Sequence, residues 1–270
     1  MRGLTESTKE MFRDSRFLRK ALMIACPVAL QGMLNTVVNL VDTLMIGTLG
    51  ATAIAAVGLA NKVFFVFSLL VFGIVSGSGV LAAQFWGSGD VKNIRKVLGL
   101  SLLLAMGGAL FFVVPAIAAP QFVMRIFTTS QDSIALGAKY LRLAALTYPF
   151  IALTNVYVAM LRAVNKVVFP VISSCIAIAV NMCLNYVLIF GKFGAPALGV
   201  EGAAIATFIA RVIEIGLVLG YVYIKKMPIA CGFTQLFGWP AAFVRKFAAT
   251  SAPVIANEFM WGLGTTMYSL

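Results

Sequence analysis

Apolar residues in this chain come in long unbroken runs rather than in alternation. Runs of about 18 or more residues with few charges read as membrane spans. Six lie near 21–41, 54–83, 97–118, 143–161, 167–190 and 202–224, and a seventh starts near 247. Continuous hydrophobicity predicts helices, and only helices and closed barrels satisfy their backbone in lipid. Helix-end signals separate the runs: Gly47 and Gly50, Gly87-Ser88-Gly89-Asp90, Thr129-x-x-Asp132 as a cap for the fourth helix, and Gly191 to Pro196. Segment 225–245, with Lys225-Lys226, Gly232, Gly238 and Pro240, is the longest polar interruption. Ser7-x-x-Glu10 is either a capping box for a short helix or part of a frayed charged tail.

Polar residues inside the runs fall into stripes. At about 100° per residue, Gln31, Asn35, Asn39 and Asp42 share one face of the first helix. Ser174, Asn181 and Asn185 do so on the fifth, and Thr207, Arg211 and Glu214 on the sixth. Polar groups in lipid are costly and face a bundle interior or a water-filled cavity, so three interior seams are expected. Asp42 is the sharpest residue, the one acid of the first five spans able to lie at membrane depth. Burial disfavours a charged carboxyl, which puts such an acid within reach of a proton gradient. It could instead be an ordinary interfacial acid. It follows Lys20 by 22 residues, and a straight helix rising about 1.5 Å per residue carries it near the far surface. Arg211 and Glu214, three apart, are placed to neutralise each other as an intramembrane pair or to handle ion or substrate. Asn181 and Asn185 could bond across helices or help Asp42 bind a cation.

Other patterns concern packing and repetition. Gly73-x-x-x-Gly77 and Gly216-x-x-x-Gly220 offer faces for close helix approach. Pro27, Pro149 and Pro170 predict kinks or helix starts. Phe17-x-Arg19-Lys20, six residues and Pro27-Val28 return 226 positions later as Phe243-x-Arg245-Lys246, six residues and Pro253-Val254. Such a repeat points to a two-lobed membrane protein. The fold class expected is all-α integral membrane, a six-helix transmembrane lobe plus a seventh helix beginning a second, pseudo-twofold-related lobe. The expected division is a cytoplasmic tail over 1–16, the lobe over 17–224, a cytoplasmic linker over 225–245, and the truncated first helix of the C-terminal lobe over 246–270.

Composition supports this reading. The chain is 61% hydrophobic and 11% charged, against roughly 45–50% and about 25% in soluble domains. A net charge of +12 invites a nucleic-acid partner, but its distribution excludes one. Basic residues cluster before the first span (Arg13, Arg16, Arg19, Lys20), after the second (Lys92, Arg95, Lys96), after the fourth (Arg162, Lys166) and after the sixth (Lys225, Lys226, Arg245, Lys246). That alternation is the positive-inside pattern and places the N-terminus in the cytoplasm. Cys26, Cys175, Cys183 and Cys231 form no C-x-x-C pair and behave as small apolar residues. The sequence has no histidine, no G-x-x-x-x-G-K-[ST] and no G-x-G-x-x-G, so neither an enzyme nor a cofactor is expected. Any work must be driven by an ion gradient or a partner.

Taken in order, the motifs resemble the multidrug and toxic compound extrusion (MATE) transporters over nearly the whole chain. Val41-Asp42-Thr43-Leu44-Met45-Ile46-Gly47 with Leu49-Gly50 matches the family's acid-bearing opening, and Ala55-Ala56-Val57-Gly58-Leu59-Ala60 its second helix. Ala83-Gln84 with Gly87 and Gly89-Asp90 fits the first cytoplasmic loop. Tyr140-Leu141-Arg142, Leu161-Arg162-Ala163 and Pro170 fit the fourth helix and the entry to the fifth. Asn181-x-x-x-Asn185-Tyr186, Gly191 to Gly194, and Gly199-Val200-x-Gly202-Ala203-Ala204-x-Ala206-Thr207 match the fifth and sixth. Pro253 with Asn257-Glu258 fits the seventh, where some members carry a functional acid.

The resemblance implies a twelve-helix exporter of amphipathic, often cationic compounds, working against inward H⁺ or Na⁺ with no other cofactor. It implies a bacterial inner membrane, a drug-like small-molecule partner, and either the missing C-terminal lobe or a second copy. By resemblance Asp42 is the coupling acid and a possible Na⁺ site, with Asn181 and Asn185 beside it. Gln31, Asn35, Asn39, Thr207, Arg211, Glu214 and Glu258 would belong to the substrate cavity. Some members carry an aspartate where this chain has Asn185. Two other readings stay open: a flippase for lipid-linked oligosaccharides, which wants a more cationic cavity around Arg211, and an ion channel, which needs a filter or charged ring.

Overall fold

Short capped turns fold the apolar runs into hairpins. The computed structural model describes residues 15–268, and among these every regular element is helical. The helices are α1 (Ser15–Gly47), α2 (Ala51–Gly87), α3 (Val91–Ala118), α4 (Pro120–Arg125), α5 (Gln131–Ala145), α6 (Tyr148–Ala163), α7 (Val168–Phe190), α8 (Val200–Ile224) and α9 (Ala241–Tyr268). A 3₁₀ turn at Phe233–Leu236 precedes α9. Among the described residues five helices are long and apolar enough to cross a membrane, or six if α5 and α6 are one bent span. The Ser7-x-x-Glu10 expectation lies outside the described residues, as does the side chain of Asn35.

Several turns have identifiable causes. Asp90 caps α3 by accepting from the Asn93 backbone N–H at 3.1 Å. Gly191 ends α7 in the left-handed region at φ +66, where a Cβ would stand 2.8 Å from the Ala197 backbone nitrogen. The cap of α5 corrects the sequence reading: Ser130, not Thr129, accepts from the Ser133 N–H at 3.5 Å. The fourth span is also not one helix, because α5 and α6 meet at a 43° bend. Pro149 stands in the first turn of α6, where its missing N–H is tolerated and a continuous helix is not. Thr147 steadies the break by donating to the Ala144 carbonyl at 2.6 Å.

The core gathers on α2, which packs against α3, α5, α6 and α9. Phe67 is fully buried and stacks on Tyr148 at 4.7 Å between ring centroids. Lipid tails are as apolar as leucine, so helix association in a membrane relies on close packing and polar contacts. Small residues supply the closeness. Cβ atoms at Gly73 and Gly77 would lie 2.8 Å from Ile255 Cα and 2.6 Å from Ser251 Cα, so α9 crosses α2 at that face. Gly216 and Gly220 do not act this way. Nothing lies within 4 Å of a Cβ at Gly216, and only the tip of Ile224 touches one at Gly220, because the buried stripe of α8 runs elsewhere, through Ala203, Ala206, Ala210 and Glu214.

The segment between α8 and α9 is strapped to the bundle. Arg95 donates to the Pro228 carbonyl at 3.1 Å and to Gln235 Oε1 at 3.0 Å, and Trp239 Nε1 donates to the Lys96 carbonyl at 3.1 Å. Ile229, within this segment, is fully buried. By contrast α1 leaves Met33, Leu40 and Leu44 exposed along its outer face and packs mainly on α7.

Candidate functional site

The order of hairpins gives the bundle two ends. One, the basic end, holds the turn before α3, the turn after α6 and the strap; the other holds the turns after α1 and after α7. Both α1 and α7 run from the basic end to the opposite one, so they lie parallel. Among the described residues two side-chain bonds join them, each between residues 143 apart. Gln31 Nε2 donates to Ser174 Oγ at 2.7 Å, and Asn185 Nδ2 donates to Asp42 Oδ1 at 2.6 Å. The second lies eleven positions beyond the first on both helices, about three turns at 3.6 residues each. The polar stripes therefore meet in register.

The cluster nearer the basic end is saturated. Arg162 Nη2 donates to Gln31 Oε1 at 2.8 Å, and Gln31 to Ser174. Ser174 Oγ donates to Glu214 Oε1 at 2.7 Å, and Arg211 Nη1 donates to Glu214 Oε2 at 2.6 Å. All the arrows converge on Glu214, which is 4% exposed. With both Glu214 oxygens and the Ser174 hydroxyl paired, this cluster should behave as a structural clamp on α1, α6, α7 and α8.

The second cluster is left incomplete. Asn185 Nδ2 also reaches Asn181 Oδ1 at 3.2 Å, and Asn181 Nδ2 reaches Thr207 Oγ1 at 3.3 Å. Thr207 in turn donates to the Ala203 carbonyl at 2.9 Å. Asn185 is buried, yet its Oδ1 has no partner. An unsatisfied buried acceptor costs about 1–3 kcal/mol and calls for a cause.

That cause is suggested by what adjoins it. A cavity of about 380 Å³ opens between α1, α2, α5, α6, α7 and α8. Asn39, Asp42, Asn181, Thr207 and Arg211 line it, with Tyr140 and Tyr148 opposite. Such a volume, apolar with a few convergent polar groups, is the usual form of a small-molecule site. Among the described residues no group of three or more His, Cys, Asp or Glu side chains is assembled to hold a metal.

The predicted residues thus divide. Asn39, Asp42, Asn181, Thr207 and Arg211 lie on the cavity, with Asn185 bonded behind Asp42. Gln31 and Glu214 sit in the packed wall. Glu258 is half-buried on α9, which packs on α2 and is not part of the cavity wall described. Sequence reasoning missed the place of Arg162, read there as a flanking charge and part of a motif, and of Tyr140, read only as part of a motif. The signal for Arg162 was its place in the last turn of α6, beside the entry of α7 and its Ser174.

The MatE family model matches residues 27–187, more than half of the chain. The chain belongs to the MatE family. It resembles the "Probable multidrug resistance protein NorM" of Thermotoga maritima, 32% identical over 213 residues, 77% of this chain and 45% of that protein. The protein of the same name from Bradyrhizobium diazoefficiens is 34% identical over 250 residues, 88% and 51% of the respective chains. A solved structure described as the outward-facing conformation of a multidrug resistance MATE family transporter superposes with a TM-score of 0.79 at 20% identity, covering 89% of this chain and 52% of its own. This MatE chain therefore spans about half the length of the relatives it matches. The shared fold is the helical bundle that encloses the cavity.

Proposed function

We propose that this MatE chain is the N-terminal half of a secondary multidrug exporter that exchanges amphipathic, often cationic compounds for H⁺ or Na⁺. In this reading 17–224 is the lobe, 225–245 the linker, and the chain from 246 opens the second lobe. The observation that carries it is Asp42 on the cavity wall, held by an Asn185 whose carbonyl oxygen is unpaired.

Asp42 can hold one positive species at a time. A charged carboxylate accepts from Asn185, as it does here, and offers an anionic wall to a cationic drug. A protonated carboxyl is instead a donor, and the free Asn185 Oδ1 is an acceptor within the same cluster once the amide turns. A Na⁺ ion would use the same oxygens, those of Asp42, Asn185, Asn181 and Thr207. Either ion then competes with drug for Asp42, and exchange follows if the two win in different conformations.

The test is Asp42→Asn in the transporter completed by a matching C-terminal half. Ethidium export driven by the gradient should vanish while expression stays near normal, and Asp42→Glu should retain part of it. Wild-type export by Asp42→Asn that still stops when the gradient is collapsed would move the coupling role elsewhere. The chain alone should insert but confer no resistance; full export by it alone would mean that it works as a homodimer. Orientation follows from the basic end facing the cytoplasm. Cysteines at Ser88 and Lys166 should react with an impermeant thiol reagent only after the membrane is opened, and one at Thr129 on intact cells. Labelling of Ser88 from outside would reverse the topology.

A further inference from the structure

We infer that Glu214 sets the charge preference of the cavity from behind its wall, by cancelling the charge of Arg211 and so leaving the cavity fit for cations. The inference rests on reading this cavity as the substrate site and adds the residue that selects substrate charge.

Arg211 lines the cavity, and its side chain is 37% exposed. A fixed guanidinium facing a chamber repels cations, and Asp42 is the one carboxylate among the cavity's described lining residues. Taken alone, those two residues give a chamber of no net charge. Glu214 changes the sum. It is one helical turn from Arg211, bonds it at 2.6 Å, and is nearly inaccessible itself. With Glu214 charged, the three groups carry one net negative charge, and that charge is Asp42's.

Few other charges adjust the balance. From α7 Glu214 is met by Ser174, and from α1 by Gln31 through that serine. From α6, Arg162 reaches this hydrogen-bonded series at Gln31, from an exposed position, and Tyr157 engages Tyr223. From α5, Lys139 pairs with Glu201 at the opposite end of α8, at 3.6 Å. Ser174 supplies one neutral donor and cannot replace a carboxylate opposite Arg211.

The test is equilibrium binding of three fluorescent dyes to the purified 270-residue chain in lipid nanodiscs. They are ethidium as a cation, N-phenyl-1-naphthylamine as a neutral compound and fluorescein as an anion. Glu214→Gln should weaken ethidium roughly tenfold and strengthen fluorescein, as expected for one unit charge a few ångströms behind the wall, with the neutral dye shifting less than about twofold. Arg211→Gln should do the reverse. The double variant Arg211→Gln/Glu214→Gln restores the net charge, so ethidium affinity should return toward wild type.

An equal loss for all three dyes in Glu214→Gln, with no recovery in the double variant, would make Glu214 a packing residue and overturn the inference. If Glu214→Gln does not fold, Arg211→Gln decides alone: unchanged ethidium and fluorescein affinities would overturn it. Failure of the wild-type chain to bind any of the dyes would instead reject the cavity as a substrate site.

Discussion

Two polar clusters join α1 to α7, three turns apart, and they are built to opposite standards. At the basic end, Arg162, Gln31, Ser174, Glu214 and Arg211 form a chain in which both carboxylate oxygens and the serine proton are used. Towards the other end, Asp42 leans on an asparagine with a buried, unpaired oxygen, next to an open cavity. Satisfied buried networks rigidify, whereas incomplete ones are costly and need an explanation. The contrast assigns roles. On the function proposed above, the saturated cluster would hold the bundle together and the unsaturated one would be where an ion acts.

The largest effect that would sharpen this contrast is at Glu214. Glu214→Ala leaves Arg211 and Ser174 without their acceptor and should cost about 1.5–3 kcal/mol, the range for hydrogen bonds to a charged group, read as a loss of resistance to denaturation of the purified chain. A cost below about 1 kcal/mol, typical of an exposed pair, would break the contrast from the structural side. Ser174→Ala should come next. It removes two hydrogen bonds, from Gln31 and to Glu214, and should cost about 1–2 kcal/mol, at roughly 0.6 kcal/mol or somewhat more for each in a membrane protein. Asn185→Leu should cost least, about 1 kcal/mol, because it removes an orphaned oxygen and the two acceptors it abandons, on Asp42 and Asn181, line the cavity where water can reach them. A larger cost for Asn185→Leu than for Ser174→Ala would mean that the second cluster is structural too.

Much of this was legible in the sequence, for a definite reason. Polar residues in apolar helices are few, and a period of 3.6 places them on faces without any tertiary knowledge. The stripes of α1, α7 and α8 could therefore be drawn, and the spacing of Arg211 and Glu214 suggested their pairing. Which stripe residue meets which could not be drawn. The offset that pairs Gln31 with Ser174 and Asp42 with Asn185 is a tertiary fact, set by how far α1 slides along α7. Hence Gln31 and Asp42 were expected on one cavity, while the structure puts one in a wall and the other in the opening. Arg162 escaped notice because a cation beside a turn normally reads as a loop charge. The α2–α9 crossing followed the Gly73-x-x-x-Gly77 spacing, yet the same spacing at Gly216 marks no contact, since glycine spacing does not say which face of a helix is covered. The strap is the plainest surprise. Its composition reads as a linker, and only the fold shows Arg95 and Trp239 pinning it down.

The central claim, that the unsaturated cluster is where an ion acts, is tested most directly by ligand-linked stability. The melting temperature of the purified chain should be followed across pH and across Na⁺ concentration for wild type, Asp42→Asn and Ser174→Ala. A species that binds only the folded chain raises its stability by mass action. Wild type and Ser174→Ala should both shift with pH or with Na⁺, the second from a lower starting point, and Asp42→Asn should show no such shift. A response in Asp42→Asn equal to wild type's would contradict the account.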